Sequence, residues 1–447
     1  MISTTSIRQE NVNFTKKLKT YIMKKYIFLS VFMLLCGCLE AYAAFDDFFY
    51  SKTMRLDYFH TGNYELEYYS IDQVIEEPFW GGSKINMIDV FDYGKYKFHV
   101  YDVSTNKLIY SRGYSTLYAE WRTTEEAKTT WRTFTETIVF PYPKNKVRVE
   151  IFSRNNKNVW DKKFNYEIDP SDYFIVKEQK QLAGVFNVHE SGNADKKLDI
   201  VIIPDGYTQD EMEKFRADCK RFAGYLLNAS PFKEYQDLIN IRGVEAISEE
   251  SGTDIPGEKI WKRTALSTTF YVFDTERYLM TYDNKAVRDY ASNTWYDQIY
   301  ILVNSDIYGG GSIYNYYSVC ISDNPLSDYV FIHEFGHGFA GLGDEYYTSD
   351  VSVQDFYPLD VEPWEPNITT LVDFNSKWKH LLSQGIPVPT PSTRQYEGKV
   401  GVFEGAGYSA KGIYRPVLDC TMKSGTYNNF CPVCQDAIIR MLMFYSD

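Results

Sequence analysis

Tyr329-Val330-Phe331-Ile332-His333-Glu334-Phe335-Gly336-His337-Gly338-Phe339-Ala340-Gly341-Leu342-Gly343-Asp344-Glu345-Tyr346 reads as a helix over 329–339 running into a glycine-punctuated turn. Val330, Phe331 and Phe335 are apolar around two histidines four apart. On a helix that spacing puts His333 and His337 one turn apart on one face, able to share a metal ion through nitrogen. Glu334 is turned aside by about 100 degrees, within reach of a metal-bound water. His-Glu-x-x-His is the pattern of a zinc hydrolase: the ion acidifies a water and polarises a carbonyl, and the carboxylate moves the proton. A catalytic zinc wants a third protein ligand. None of His60, His99, His189 or His380 is near in sequence, so only folding can bring one in.

Working outward, the flanking chain alternates strands and helices. Leu198-Asp199-Ile200-Val201-Ile202-Ile203 is a strand, and Thr208-Gln209-Asp210-Glu211 is a capping box opening a helix whose inner face carries Met212, Phe215, Cys219, Phe222 and Leu226. A strand over 239–246, a helix over 275–290 and the strand Gln298-Ile299-Tyr300-Ile301-Leu302-Val303 follow, an α/β order. Gly309-Gly310-Gly311 lacks the Lys and Ser/Thr of a phosphate loop and reads as a turn beside a cleft, with 312–314 continuing as a strand. The segment 348–412, with its proline loop Ile386-Pro387-Val388-Pro389-Thr390-Pro391, is expected to shape that cleft.

The front of the chain has another texture. Alternation in Tyr64–Tyr68, Tyr96–Tyr101 and Val147–Ile151, with turns at 104–107 and 155–158, predicts an antiparallel β-sandwich over 45–175. Helix is expected there only near Glu125–Ala127. Trp80, Trp121, Trp131 and Trp160 fall at strand spacing and read as core.

The 447 residues are 44% hydrophobic, with material for two globular domains, and the net charge of -13 excludes a basic groove for nucleic acid. Met23-Lys24-Lys25 before the apolar run Tyr26–Leu35 is a signal peptide, too short to span a bilayer, so 1–43 is an upstream extension plus leader. Ala41-Tyr42-Ala43 places the cut after Ala43, whereas Leu35-Cys36-Gly37-Cys38 resembles the box that leaves a lipid anchor at Cys38. Either cut predicts export to the periplasm, cell surface or medium, with no transmembrane span. Cys219, Cys320, Cys420, Cys431 and Cys434 then remain. The last three are close enough for a disulfide, and Cys431-Pro432-Val433-Cys434 reads as a structural bridge or buried thiols rather than a redox pair or half a zinc site.

The run from His333 to Tyr346 resembles the signature of the M64 peptidases, named for a bacterial protease that cleaves immunoglobulin A. Asp199–Thr208, Glu250–Pro256 and Tyr414-Arg415-Pro416 are similar to the same family, and Met54–Tyr58 and Tyr110–Tyr114 to its amino-terminal domain. The metal positions show no departure from the family pattern. The resemblance implies a metzincin-like zincin catalytic domain over 185–447. In metzincins a ligand follows the glycine that ends the helix. Gly341-Leu342-Gly343-Asp344 supplies that turn one residue later than usual, which makes Asp344 the third zinc ligand, with Glu345 as rival. Asp419-Cys420-Thr421-Met422 resembles the clan's Met-turn. The expectation is a zinc endopeptidase acting on extracellular protein or peptide, with His333, His337 and Asp344 on Zn²⁺ and Glu334 as base. The alternative is an exported glycan- or protein-binding protein with an inactive peptidase-like domain.

Overall fold

Seven strands make up the front half. They are β1 (Phe49–Gly62), β2 (Glu67–Glu77), β3 (Tyr96–Asp102), β4 (Lys107–Tyr114), β5 (Arg132–Pro143), β6 (Val147–Arg154) and β7 (Trp160–Ile168). The computed structural model describes residues 44–347, 357–425 and 429–446. The leader, the Cys38 box and the Ala43 cut lie outside the described residues, as does 348–356 of the expected cleft segment.

The strands form two antiparallel sheets, β2-β1-β5 and β4-β3-β6-β7. Their inner faces meet through aromatic contacts. Tyr58 and Tyr114 share a hydroxyl hydrogen bond at 2.8 Å, and Phe98 lies 6.3 Å from Phe140. Trp80 and Trp121 are core as expected, but Trp131 stands exposed against Tyr68. Only a 3-10 turn forms at Glu126–Lys128. Besides a single helical turn at Phe45–Phe48, this half has the helix α1 (Leu117–Trp121), started by the Thr116 side chain accepting from the Ala119 N–H.

Behind it, β8 (Val185–His189), β9 (Leu198–Asp205) and β10 (Ile239–Val244) precede two short strands, β11 (Thr268–Thr269) and β12 (Met280–Thr281). β13 (Gln298–Val303), β14 (Gly310–Ile313) and β15 (Tyr317–Ile321) complete a six-stranded mixed sheet in the order β14-β15-β13-β9-β10-β8. Every residue of β9 and β13 is buried, as strands covered on both faces require. Both edge strands are antiparallel to their neighbours. The Thr208–Glu211 capping box forms and leads into α2 (Met212–Asn228), whose predicted inner face is buried.

Two expectations give way. The helix over 275–290 shrinks to α3 (Asn284–Ala291): Asp283 caps it through the Ala286 N–H, and the preceding Arg277–Leu279 instead hydrogen-bonds along Gly310. Gly310 and Gly311 are not a turn but the start of edge strand β14. Their missing side chains admit Val330, Tyr278 and Met280, which a Cβ would meet at 2.5–2.7 Å.

The helix carrying the two histidines, α4 (Ser327–Ala340), packs on β14 and β15 and beside α2. The hairpin β16 (Phe403–Ala406) and β17 (Ser409–Arg415) and the last helix, α5 (Pro432–Tyr445), follow. Residues from Phe48 onward form one compact unit. Within it the front half docks on the sheet: Ser115 N–H donates to Tyr314 O, and Asn315 Nδ2 to Gly113 O, both at 2.9 Å. Arg55 of β1 reaches Asp289 of α3 at 2.7 Å. Among the described residues no helix is long and apolar enough to cross a membrane.

Candidate active site

Helix α4 reaches its neighbours closely because glycines line its contacts. A Cβ on Gly336, between the two histidines, would lie 2.9 Å from Met422 Sδ, 3.0 Å from Phe430 and 3.2 Å from Leu342. Met422 thus packs directly under the histidine turn. The helix ends at Gly341, whose φ of 64° few other residues adopt, and the chain folds back so that Asp344 faces the imidazoles.

His333, His337 and Asp344 converge. The two Nε2 atoms are 3.1 Å apart, and Asp344 Oδ1 is 3.2 Å from one and 3.3 Å from the other. Backbone carbonyls fix the rings: His333 Nδ1 donates to Thr421 O at 3.0 Å, and His337 Nδ1 to Leu342 O at 2.5 Å. With Nδ1 carrying the proton, each Nε2 presents a lone pair. Asp344 Oδ1 accepts no hydrogen bond. Three acceptors about 3.2 Å apart match the edge of a tetrahedron of ligands about 2.0–2.1 Å from a central ion. The donor set fits a metal.

The electrostatics agree. Burial opposes a charge on His337, yet the adjoining Asp344 carboxylate lifts it to about 9. Burial likewise opposes ionisation of Asp344, but the imidazoles hold it well below the usual carboxylate range. The cluster thus demands a positive charge. Tyr408 Oη donates to Asp344 Oδ2 at 2.5 Å and steadies the carboxylate from behind. Tyr408 sits in the two-residue turn between β16 and β17, where Gly407 and Tyr408 have φ of 54° and 65°. That type I′ geometry is costly for a tyrosine. Backbone bonds from Gly407 N–H to Asp344 O and from Tyr408 N–H to Tyr346 O tie the turn to the ligand segment.

Glu334 is half-buried and points past Gly310, whose absent Cβ leaves its Cγ room. Burial lifts its carboxyl above the ordinary value, partly offset by His333 and His337. A carboxyl raised in this way holds its proton more readily than an exposed one, which suits a group that must take and return one. The rival Glu345 is elsewhere: it is fully buried against Cys420, Cys434 and Asn367. None of the other four histidines joins the cluster. His60, for one, is locked in the front core between Glu67 and Glu136.

His333, Glu334, His337, Asp344 and Tyr408 line a cleft of about 310 Å³. The front half also lines this cleft, through Ser115, Ala119, Glu120 and Thr123. Tyr278 donates to Glu120, whose carboxyl burial lifts to about 7. Tyr357, Trp364, Glu365 and Tyr408 supply the part that 348–412 was expected to shape, and the proline loop is not among the lining residues. Neither Glu120 nor Tyr408 was legible in the sequence, since each reaches the site across a domain or a hairpin.

A family model described as IgA Peptidase M64 matches residues 186–397 and 392–442, and one described as Peptidase M64 N-terminus matches 44–165. The chain belongs to the M64 peptidase family. Comparison with curated proteins finds no match. The two models fall on the two halves described above, the mixed α/β layer and the paired antiparallel sheets. Membership makes this chain a peptidase, with the candidate metal residues inside the larger match.

Proposed function

We propose that this M64 peptidase is an exported zinc-dependent endopeptidase, with a metzincin-like catalytic domain over 185–447 behind a β-sandwich over 45–175. The observation that carries the proposal is the triangle of two Nε2 lone pairs and an unpartnered carboxylate oxygen, beside Glu334, in the wall of a cleft. Two imidazoles and one carboxylate with a fourth position free is the ligand set of a catalytic rather than a structural zinc. When bound, zinc there supplies Lewis acidity toward the scissile carbonyl and acidifies an attacking water.

The chain's own residues do the rest. Glu334, lifted by burial, takes a proton from that water and passes it to the leaving amine. Thr421 O and Leu342 O keep both imidazoles in the tautomer that presents Nε2. Arg277, at the cleft beside Tyr346 and Tyr308, is placed to hold a polar group of the substrate. The leader at 23–43 supports export, and an extracellular protein such as the immunoglobulin A of the family's name is the proposed substrate class.

Glu334→Gln tests the assignment: the variant should retain the metal and lose nearly all hydrolysis of a mixed peptide library. A chelator should abolish the wild-type digest, and added zinc should restore it. Full activity in Glu334→Gln would remove the mechanism, and retained activity without metal would remove the zinc.

A further inference from the structure

The cysteines that the peptidase chemistry leaves unused are gathered in one place. Cys420, Cys431 and Cys434 are buried free thiols, and their sulfurs and a Glu345 carboxylate oxygen all lie within 4.8 Å of one another. We propose that these four residues hold a structural zinc ion, separate from the one in the cleft.

The spacings are close to those of a coordination shell, and a little short where sulfur meets the carboxylate. Cys431 Sγ and Cys434 Sγ are 3.6 Å apart, Cys420 Sγ is 3.1 Å from Glu345 Oε2, and Cys434 Sγ is 3.4 Å from Glu345 Oε1. With zinc–sulfur bonds of about 2.3 Å and zinc–oxygen bonds of about 2.0–2.2 Å, tetrahedral edges come to about 3.5–3.8 Å. The sequence geometry concurs. Cys431 is the N-cap of α5 and Cys434 lies in its first turn, so the pair converges on the end of the helix where amide N–H groups favour thiolate. The carboxylate is held from outside by Asn367, which donates to Glu345 Oε1 at 3.0 Å and brackets Gly343 through both its N–H and C=O.

Other uses of these thiols fit less well. A redox pair needs an accessible sulfur, and Cys431 and Cys434 are 6% and 0% exposed. A disulfide would consume two of three thiols and leave the Glu345 carboxylate buried without its counter-charge. An ion satisfies all four groups together.

Its position gives it a task. Glu345 follows Asp344, and Cys420 precedes Thr421, whose carbonyl orients His333. The Glu345 N–H also donates to Met422 O at 2.8 Å. The ion clamps together, from beneath, the two segments that frame the catalytic donors.

The test is metal content of the full-length chain by inductively coupled plasma mass spectrometry. Wild type should carry two zinc ions and His333→Ala/His337→Ala one, because that variant leaves the cysteine site untouched. Cobalt loaded into the double variant should show a thiolate-to-metal charge-transfer band, and the three thiols should resist a thiol reagent until the ion is removed. Cys434→Ser added to the double variant should take the remaining ion away. One ion in wild type with none in His333→Ala/His337→Ala, or a Cys431–Cys434 disulfide in the peptide map, would overturn the site and leave the cleft assignment standing.

Discussion

Replacing Tyr408 by phenylalanine isolates what one hydroxyl contributes to the candidate metal-binding residues. The phenol donates at 2.5 Å to Asp344 Oδ2, the carboxylate buried and the tyrosine half-buried, so the bond is short, charge-assisted and partly shielded from water. Hydrogen bonds to charged groups contribute about 1.5–3 kcal/mol. At about 1.4 kcal/mol per tenfold, metal affinity should fall by about 10- to 100-fold. Phenylalanine keeps the ring and the strained turn, so the hairpin should still form. Competition with a chromogenic chelator reads the affinity, and peptide hydrolysis at saturating zinc reads the remainder. The expected pattern is weakened affinity with turnover largely restored by excess metal. Unchanged affinity would refute the positioning role, and lost turnover at full affinity would place the hydroxyl on the substrate instead.

Other expectations follow from packing and burial. Gly336→Ala gains about 1 kcal/mol of helix propensity but crowds Met422, Phe430 and Leu342, at a cost of about 1–3 kcal/mol. Because Leu342 O also holds His337, metal affinity should drop more than the melting temperature does; no change in affinity would show that the contact relaxes freely. Far from the cleft, burial lifts the Glu77 carboxyl to about 7 despite Arg55 nearby. The folded state therefore binds a proton that the unfolded chain has released between about 4.5 and 7, and stability should fall as pH rises through that window. The full effect is on the order of 3 kcal/mol. Denaturant midpoints of Glu77→Gln should lose this slope, and a parallel slope in the variant would assign it elsewhere.

The parts of the site that were legible in the sequence are those carried by local spacing. His333, Glu334 and His337 sit on one helix, and the glycine turn to Asp344 is four consecutive residues. The apolar runs Leu198–Ile203 and Gln298–Val303 announced strands, which the structure places at the centre of the mixed sheet. Local pattern failed where distant chain overrode propensity. Arg277–Leu279 looked helical but was drawn out along Gly310, and the triple glycine looked like a turn because its partners, Tyr278, Met280 and Val330, are remote in sequence. Glu345 could not be separated from Asp344 by spacing. What separates them is the cysteine cluster, whose members are joined only by the fold. The pairing of front and rear halves across the cleft, through Glu120 and Tyr278, left no local trace.

That pairing divides the labour of evolution within one groove. On the proposed chemistry, one bank, helix α4 and its glycine turn, answers to the demands of the ion and the proton. The facing bank belongs to the front half, which supplies none of the candidate metal residues, and there Ala119 and Thr123 are the half-buried side chains with the most room to change. A lineage of such enzymes can retarget itself by altering the sandwich rim while the reacting atoms never move. Exchanging 115–124 between relatives should carry cleavage preference along with it, at constant metal content.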